Sequence, residues 1–500
     1  MSIIASTGAN FLSFNVGDYI ADLLPMRWTC IRCHMKEAPV RIQNERQIVP
    51  AADMVSSLLN SQFLGDNINQ ATNSFASSLL AAGKSALYAF AAKSEHDWNK
   101  LLMLTTKAAY NKVGHLKPHK EHYLIFDDTV LEHTAATSME LATFTFNHNT
   151  HNSVKGYTCL QGGWSDGVSF FPFSATMIAS DEKEGRKACE KAKSKVLDHR
   201  RHGGVIRHDA ETQKPELVKK LIKRAQRNGI DASYVLMDSW FNYKPLMTFI
   251  VEQGLNAIGM LKLDKRTYHR IDRLGRSLGQ KTLNRLFETF KHKRKNAHGI
   301  AGSEIVVACT GDETIEDGLK LKIVYLHSYH DPNKILVLAS TDLSLKPEEI
   351  VQKYSVRWGT ETSYYNQKEF LGLGYETCST DFDNQNAFAN ICCIRAVLIE
   401  LHRRMTNDIR AIGEIARNAK ETMRVMPLSE AVAILLKMLS ELPEKLNKAG
   451  CIAPGKLDTV KRILRLLITS WYQSMVEYVQ DIIDLSPKSK QYHGKRRQKA

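Results

Sequence analysis

Two aspartates stand where short apolar runs end. Tyr123-Leu124-Ile125-Phe126 leads into Asp127-Asp128, and Tyr234-Val235-Leu236-Met237 leads into Asp238. Runs of this length read as buried strands. A carboxylate at such a position is costly to desolvate unless a bound cation compensates it; the alternative is an ordinary turn residue after a strand. A third set of residues follows Pro347, where Tyr354, Arg357, Glu361 and Lys368 fall on one narrow stripe of a helix turning about 100° per residue. Gly359 is the point at which that helix is expected to bend. Three carboxylates sharing two divalent ions about 3.5–4 Å apart suit in-line phosphoryl transfer. Arg357 and Lys368 would grip phosphates flanking the reacting bond, and Tyr354 would hydrogen-bond a phosphate or stack on sugar or base. Oxygen-only ligands favour Mg²⁺ or Mn²⁺ over Zn²⁺.

The elements that must carry these residues can be read along the chain. Lys155 to Trp164 and Val168 to Ile178 are strand-like, with Ser165-Asp166-Gly167 as the hairpin turn between them. Pro215 to Asn228 is an amphipathic helix closed by Gly229. Another helix around Leu246 to Glu252 precedes a strand from Ala257 to Leu263. The order strand, hairpin, helix, strand, helix, strand is the ribonuclease H-like layout, a mixed sheet with helices packed on it. No Gly-rich phosphate loop interrupts it. The expected organisation is a helical N-terminal region over residues 1–120 and an α/β core over 121–263 and 343–400. A β-rich insertion fills 264–342, and a helical C-terminal region with a basic tail fills 401–500.

The balance of charge agrees with a polyanionic partner. Five hundred residues with 68 Lys+Arg against 53 Asp+Glu carry a net +15, although a merely basic soluble enzyme would look the same. Ordinary hydrophobic content excludes collagen-like and wholly disordered chains. Nine scattered cysteines, no signal-peptide pattern at the start and no apolar membrane span suggest a soluble cytoplasmic protein.

Tyr354-(2)-Arg357-(3)-Glu361-(6)-Lys368 resembles the YREK signature of bacterial insertion-sequence transposases of the DDE class. The contexts Asp127-Asp128-Thr129, Asp238-Ser239-Trp240-Phe241 and Ser340-Thr341-Asp342-Leu343 are also similar to that family, so the resemblance spans about Tyr123 to Asp381. It implies a ribonuclease H-like core with a β insertion before the glutamate, and Mg²⁺-dependent cut-and-paste transposition. Asp127, Asp238 and Glu361 would hold the metals, with Tyr354, Arg357 and Lys368 on double-stranded DNA at the element ends and target. The spacing to Thr129 selects Asp127, with Asp128 as the alternative first ligand. The N-terminal helices and basic tail would recognise the terminal inverted repeats and dimerise at synapsis. A metal-dependent nuclease without strand transfer and a domesticated, non-catalytic DNA-binding protein are the competing readings.

Other signals weigh less. Cys30-Ile31-Arg32-Cys33-His34 fits a haem-attachment pattern, but no export route or second ligand pair accompanies it. Cys392-Cys393 reads as helix packing. The basic runs Lys183 to Lys195, Arg200-Arg201-His202, Lys291 to Lys295 and Pro487 to Ala500 are candidate DNA contacts or solvated surface. Trp240 is either core or a stacking surface for an unpaired base.

Overall fold

The computed structural model describes residues 16–42, 45–114, 121–147, 150–179, 189, 195, 197–272, 274–290, 299–327, 335–475 and 480. The chain divides into two compact units, one of Met1–Asp22, Glu37–Tyr88 and Arg410–Ala500, the other of Leu23–Lys36 and Ala89–Ile409. The described part of the first unit contains the helices Ala51–Leu64, Ile68–Thr72, Ile412–Lys448 and Leu457–Gln473. An antiparallel hairpin, Ala38–Ile42 with Glu45–Val49, also belongs to it. The helical reading of residues 1–120 omits this hairpin, whose strands are only five residues each.

The second unit is built on an eleven-stranded mixed sheet. Its strands are β1 (Tyr123–Glu132), β2 (Thr143–Asn147), β3 (Asn152–Ser165), β4 (Phe170–Ile178), β5 (Tyr234–Met237), β6 (Asn256–Leu261), β7 (Thr267–Ile271), β8 (Ser277–Thr282), β9 (Ile300–Ala308), β10 (Leu319–His327) and β11 (Ile335–Ser340). The helices that matter for the site are α1 (Trp98–Val113), α2 (His202–Ala210), α3 (Lys214–Arg227), α4 (Lys244–Glu252), α5 (Leu283–Phe287), α6 (Pro347–Ser355), α7 (Trp358–Phe370) and α8 (Phe382–Thr406). The spatial order is β8-β7-β9-β10-β11-β6-β5-β1-β3-β2, and β4 also pairs with β3. Strand β3 pairs antiparallel with β1, whereas β5 runs parallel to both β1 and β6. Parallel neighbours need long crossovers, and α2, α3 and α4 lie in those connections.

Burial explains why the central strands are continuous apolar runs. Ile125, Leu236, Ile258, Val324 and Leu338 share one cluster with Ile350 of α6. Helices α1 and α8 pack on each other and on β4. Phe126 meets Phe173 edge-on at 6.1 Å between ring centroids. Gly162, opposite Phe126 in the β1–β3 ladder, has no room for a side chain, since a Cβ there would stand 2.7 Å from the Phe126 ring. Helix α3 starts with proline in its first turn and is followed by Gly229 at φ 66°, as its end residues require.

Residues 264–342 do not stand apart from the sheet. Strand β11 pairs antiparallel with β6, so the region expected as an insertion extends the same sheet by five strands. Strands β2, β7 and β8 and helix α2 were not legible as elements, and α2 begins inside the basic run Arg200-Arg201-His202. Its Arg207 is buried and forked: Nε and Nη2 donate to Glu140 at 2.8 Å each, and Nη1 and Nη2 donate to Asp383 at 3.0 Å each. Burial works against the Glu140 charge, yet the Arg207 bonds and the Lys195 and Phe382 N–H groups outweigh it and hold its carboxyl below the usual range.

Candidate active site

Register brings the two aspartates together. In the parallel β1–β5 pair Phe126 lies beside Met237, so Asp127 and Asp238 follow side by side on strands roughly 4.8 Å apart. Strand β5 ends at Met237 while β1 continues to Glu132, paired there with β3. The acids therefore sit where the sheet opens. The Asp128 N–H donates to Asp127 Oδ1 at 2.9 Å, and the Ser239 N–H donates to Asp238.

Glu361 arrives from a helix that tightens before it. Helix α6 stops at Ser355 and α7 starts at Trp358; Val356 and Arg357 keep right-handed helical dihedrals between them. The Val356, Arg357, Gly359 and Thr360 N–H groups bond three residues back, to Lys353, Tyr354, Val356 and Arg357, at 3.2, 3.1, 3.1 and 2.9 Å. This is a 3₁₀ turn, so the departure from one continuous α-helix begins ahead of Gly359 rather than at it. The turn sets Arg357 between two carboxylates. Its Nη1 donates to Asp127 Oδ2 at 2.9 Å and its Nη2 to Glu361 Oε1 at 2.5 Å. One planar guanidinium reaching both keeps those oxygens within roughly 8 Å of each other.

Helix α7 is pinned along β1 by Lys368 of the motif and by Tyr364 and Gln367, which carry no sequence signal of their own. The Tyr364 hydroxyl donates to the Asp127 carbonyl at 2.7 Å, and Lys368 Nζ donates to the Val130 carbonyl at 2.9 Å. Buried Gln161 and Gln367 exchange amide hydrogen bonds at 2.6 and 3.1 Å. Tyr364 lies on the inner face of α7 three residues past Glu361, and that helical spacing is the one sign that could have found it. Lys368 and Arg357 are thus both engaged within the protein. The Tyr354 hydroxyl is buried without a hydrogen-bond partner among the described residues.

Asp127 is 8 % exposed. Burial is the largest influence on its carboxyl and pushes it up to about 7; Arg357 and the Asp128 N–H pull against that, while the Asp128 and Asp238 charges add to it. Burial likewise raises the Tyr354 phenol to about 12 and lowers the Lys368 ammonium. The Arg357 guanidinium is held above its ordinary value, because Tyr354, Asp127 and Glu361 outweigh its burial.

Asp127, Asp128 and Asp238 line a cleft of about 660 Å³ with Thr145, Phe146 and Lys214 among its other walls. Trp240 also lines it and is 56 % exposed, so it is not a core residue, and Lys262 Nζ stands 3.2 Å from its ring centre. Asp127 is the acid that meets Arg357, whereas Asp128 pairs with Lys214.

Hard carboxylate oxygens on neighbouring strands, one of them buried and incompletely neutralised, suit a hard divalent cation. Among the described residues no three His, Cys, Asp or Glu side chains already converge as a metal-holding group, and Arg357 occupies the span from Asp127 to Glu361. Comparison with known families falls on the same stretch of chain. Residues 71–298 match the DDE superfamily endonuclease model. That match supports a DDE transposase-like or nuclease protein; it includes Asp127 and Asp238 and stops before Tyr354. No curated protein matches the chain.

The remaining candidates divide. Cys30, Cys33, Cys392 and Cys393 are buried thiols in no disulfide, and burial pushes Cys33 up to about 12. Lys195 pairs with Asp381 and Asp383, Arg200 with Asp198 at 3.0 Å, and His202 with Asp97 at 3.3 Å. Apart from Cys189 and Lys195, the run Lys183 to Lys195 lies outside the described residues, as do Lys291 to Lys295 and Pro487 to Ala500. Among the described residues no helix is long and apolar enough to cross a membrane.

Proposed function

We propose that the protein is a DNA transposase of the DDE, insertion-sequence type, with a ribonuclease H-like core. It binds the terminal inverted repeats of its element, cleaves there and joins the freed 3′-hydroxyl to target DNA. The observation that carries this reading is the pairing of Asp127 and Asp238 at the open end of adjacent strands, with Glu361 tied to Asp127 through Arg357. Asp127, Asp238 and Glu361 would hold Mg²⁺ or Mn²⁺, as two ions, which when bound supplies charge neutralisation and an activated oxygen nucleophile.

The protein's own groups do the rest. The Arg357 fork fits a phosphate as readily as two carboxylates, so an incoming DNA backbone competes for it and releases Glu361 toward the aspartates. Tyr354, with its unpartnered hydroxyl beside Arg357, donates to the same phosphate. Lys368 anchors α7 to β1 and adds positive potential along the strand. The N-terminal region and basic tail recognise the ends, and two copies synapse two ends.

Incubating the full chain with Mg²⁺ and end-labelled DNA carrying the element termini tests the reading. The parent should yield cleaved and joined products, and Asp238→Asn neither. Cleavage that never gives joined product supports the nuclease reading, with which the DDE superfamily endonuclease match is equally consistent.

A further inference from the structure

The cleft holds an ion pair for which the proposed reaction has no use. Asp127 and Asp128 are consecutive on β1, and while Asp127 turns to Arg357, Asp128 pairs with Lys214. Lys214 lies 86 residues further along the chain and opens α3. Among the described residues lining the cleft Lys214 is the one cation, facing Asp127, Asp128 and Asp238. A polyanionic strand approaching three aspartates is repelled; Arg357 offsets the Asp127 charge, and this ammonium is the lining group placed to offset the rest. Its side chain is 36 % exposed, against 19 % for Asp128, so the cation is the more accessible half of the pair. The first-turn position adds the positive end of the α3 dipole at the same place. A partly exposed pair of this kind contributes little to stability, so holding the fold together does not account for it.

We propose that Lys214 binds a backbone phosphate of the DNA strand lying in the cleft, and that Asp128 holds the ammonium until that phosphate replaces it. The inference rests on the reading of this cleft as a DNA-cleaving site. It makes Lys214 a positioning residue for the strand and Asp128 its place-holder.

The test measures binding of the full chain to a fluorescein-labelled random-sequence duplex by anisotropy over a salt series. Parent, Lys214→Gln, Lys214→Arg, Asp128→Asn and the Lys214→Gln/Asp128→Asn double variant are compared. Each phosphate neutralised contributes about −0.9 to the slope of log affinity against log salt. Lys214→Gln should therefore flatten the slope by about that amount, and Lys214→Arg should restore it. Asp128→Asn should tighten binding when Lys214 is present and do so less in the Lys214→Gln background. A slope unchanged in Lys214→Gln, or an Asp128→Asn effect equal in both backgrounds, overturns the proposal. If the parent binds and cuts DNA in Mg²⁺ while Lys214→Gln keeps its slope, this inference alone fails. If the parent neither binds nor cuts, the reading of the site fails with it.

Discussion

Asp127 gives the site a pH dependence that can be worked out in advance. Its carboxyl is raised by burial to about 7, so in the metal-free fold it is mostly protonated in mild acid. A divalent ion binds the carboxylate, and binding must expel that proton. The ionised fraction is roughly one in ten at pH 6 and nine in ten at pH 8, so apparent affinity should rise about tenfold between them through this residue alone. Binding should release about 0.9 proton at pH 6 and about 0.1 at pH 8. Mn²⁺ titration by calorimetry, in two buffers of different ionisation enthalpy, reads both quantities. Asp127→Asn should remove the proton release along with most of the affinity. The linkage has the opposite sign for stability without metal: a raised carboxyl favours the fold at low pH, and that contribution is lost as pH climbs from about 4 to about 7. Equal affinity at the two pH values, or proton release that survives Asp127→Asn, would refute the reasoning.

Three further outcomes follow from the packing. Arg207→Met leaves Glu140 and Asp383 buried without their shared cation and should cost about 3–5 kcal/mol in urea unfolding. Tyr364→Phe deletes one buried hydrogen bond to the Asp127 carbonyl; about 1 kcal/mol of stability should go, and cleavage should slow at saturating DNA with little change in DNA affinity. Gly162→Ala drives a methyl against the Phe126 ring next to Asp127, so both melting temperature and cleavage rate should fall, whereas Gly83→Ala, where an added methyl meets nothing within 4 Å, should leave cleavage unaltered.

What the sequence discloses and what it conceals have physical causes. The central strands are legible because their apolar runs are buried on both faces, and Asp127, still within β1, and Asp238, just past β5, stand out as the first charges after those runs. The Asp-Gly turn gives the β3–β4 hairpin, and α3 carries its start and stop residues. Strand β8 is concealed because its residues are almost all exposed, so no alternation marks it. The Arg207 fork is concealed because its partners lie 67 and 176 residues away. The stripe from Tyr354 to Lys368 is legible as a motif, but the 3₁₀ turn that points Arg357 at two carboxylates depends on tertiary contacts. The same holds for Asp128: adjacency to Asp127 keeps it as the alternative to the Asp127 that the spacing to Thr129 selects, and Lys214 distinguishes it in space.

The central claim is that carboxylates 127, 238 and 361 share divalent metal when DNA is present. Crystals of the unaltered protein with an end-bearing duplex, soaked in Mn²⁺ and measured for anomalous scattering, test it most directly. The account predicts Mn²⁺ peaks contacting Asp127 and Asp238, with Glu361 turned away from Arg357 to join them. Mn²⁺ bound only elsewhere, with Arg357 still joining Asp127 to Glu361 beside bound DNA, would contradict it.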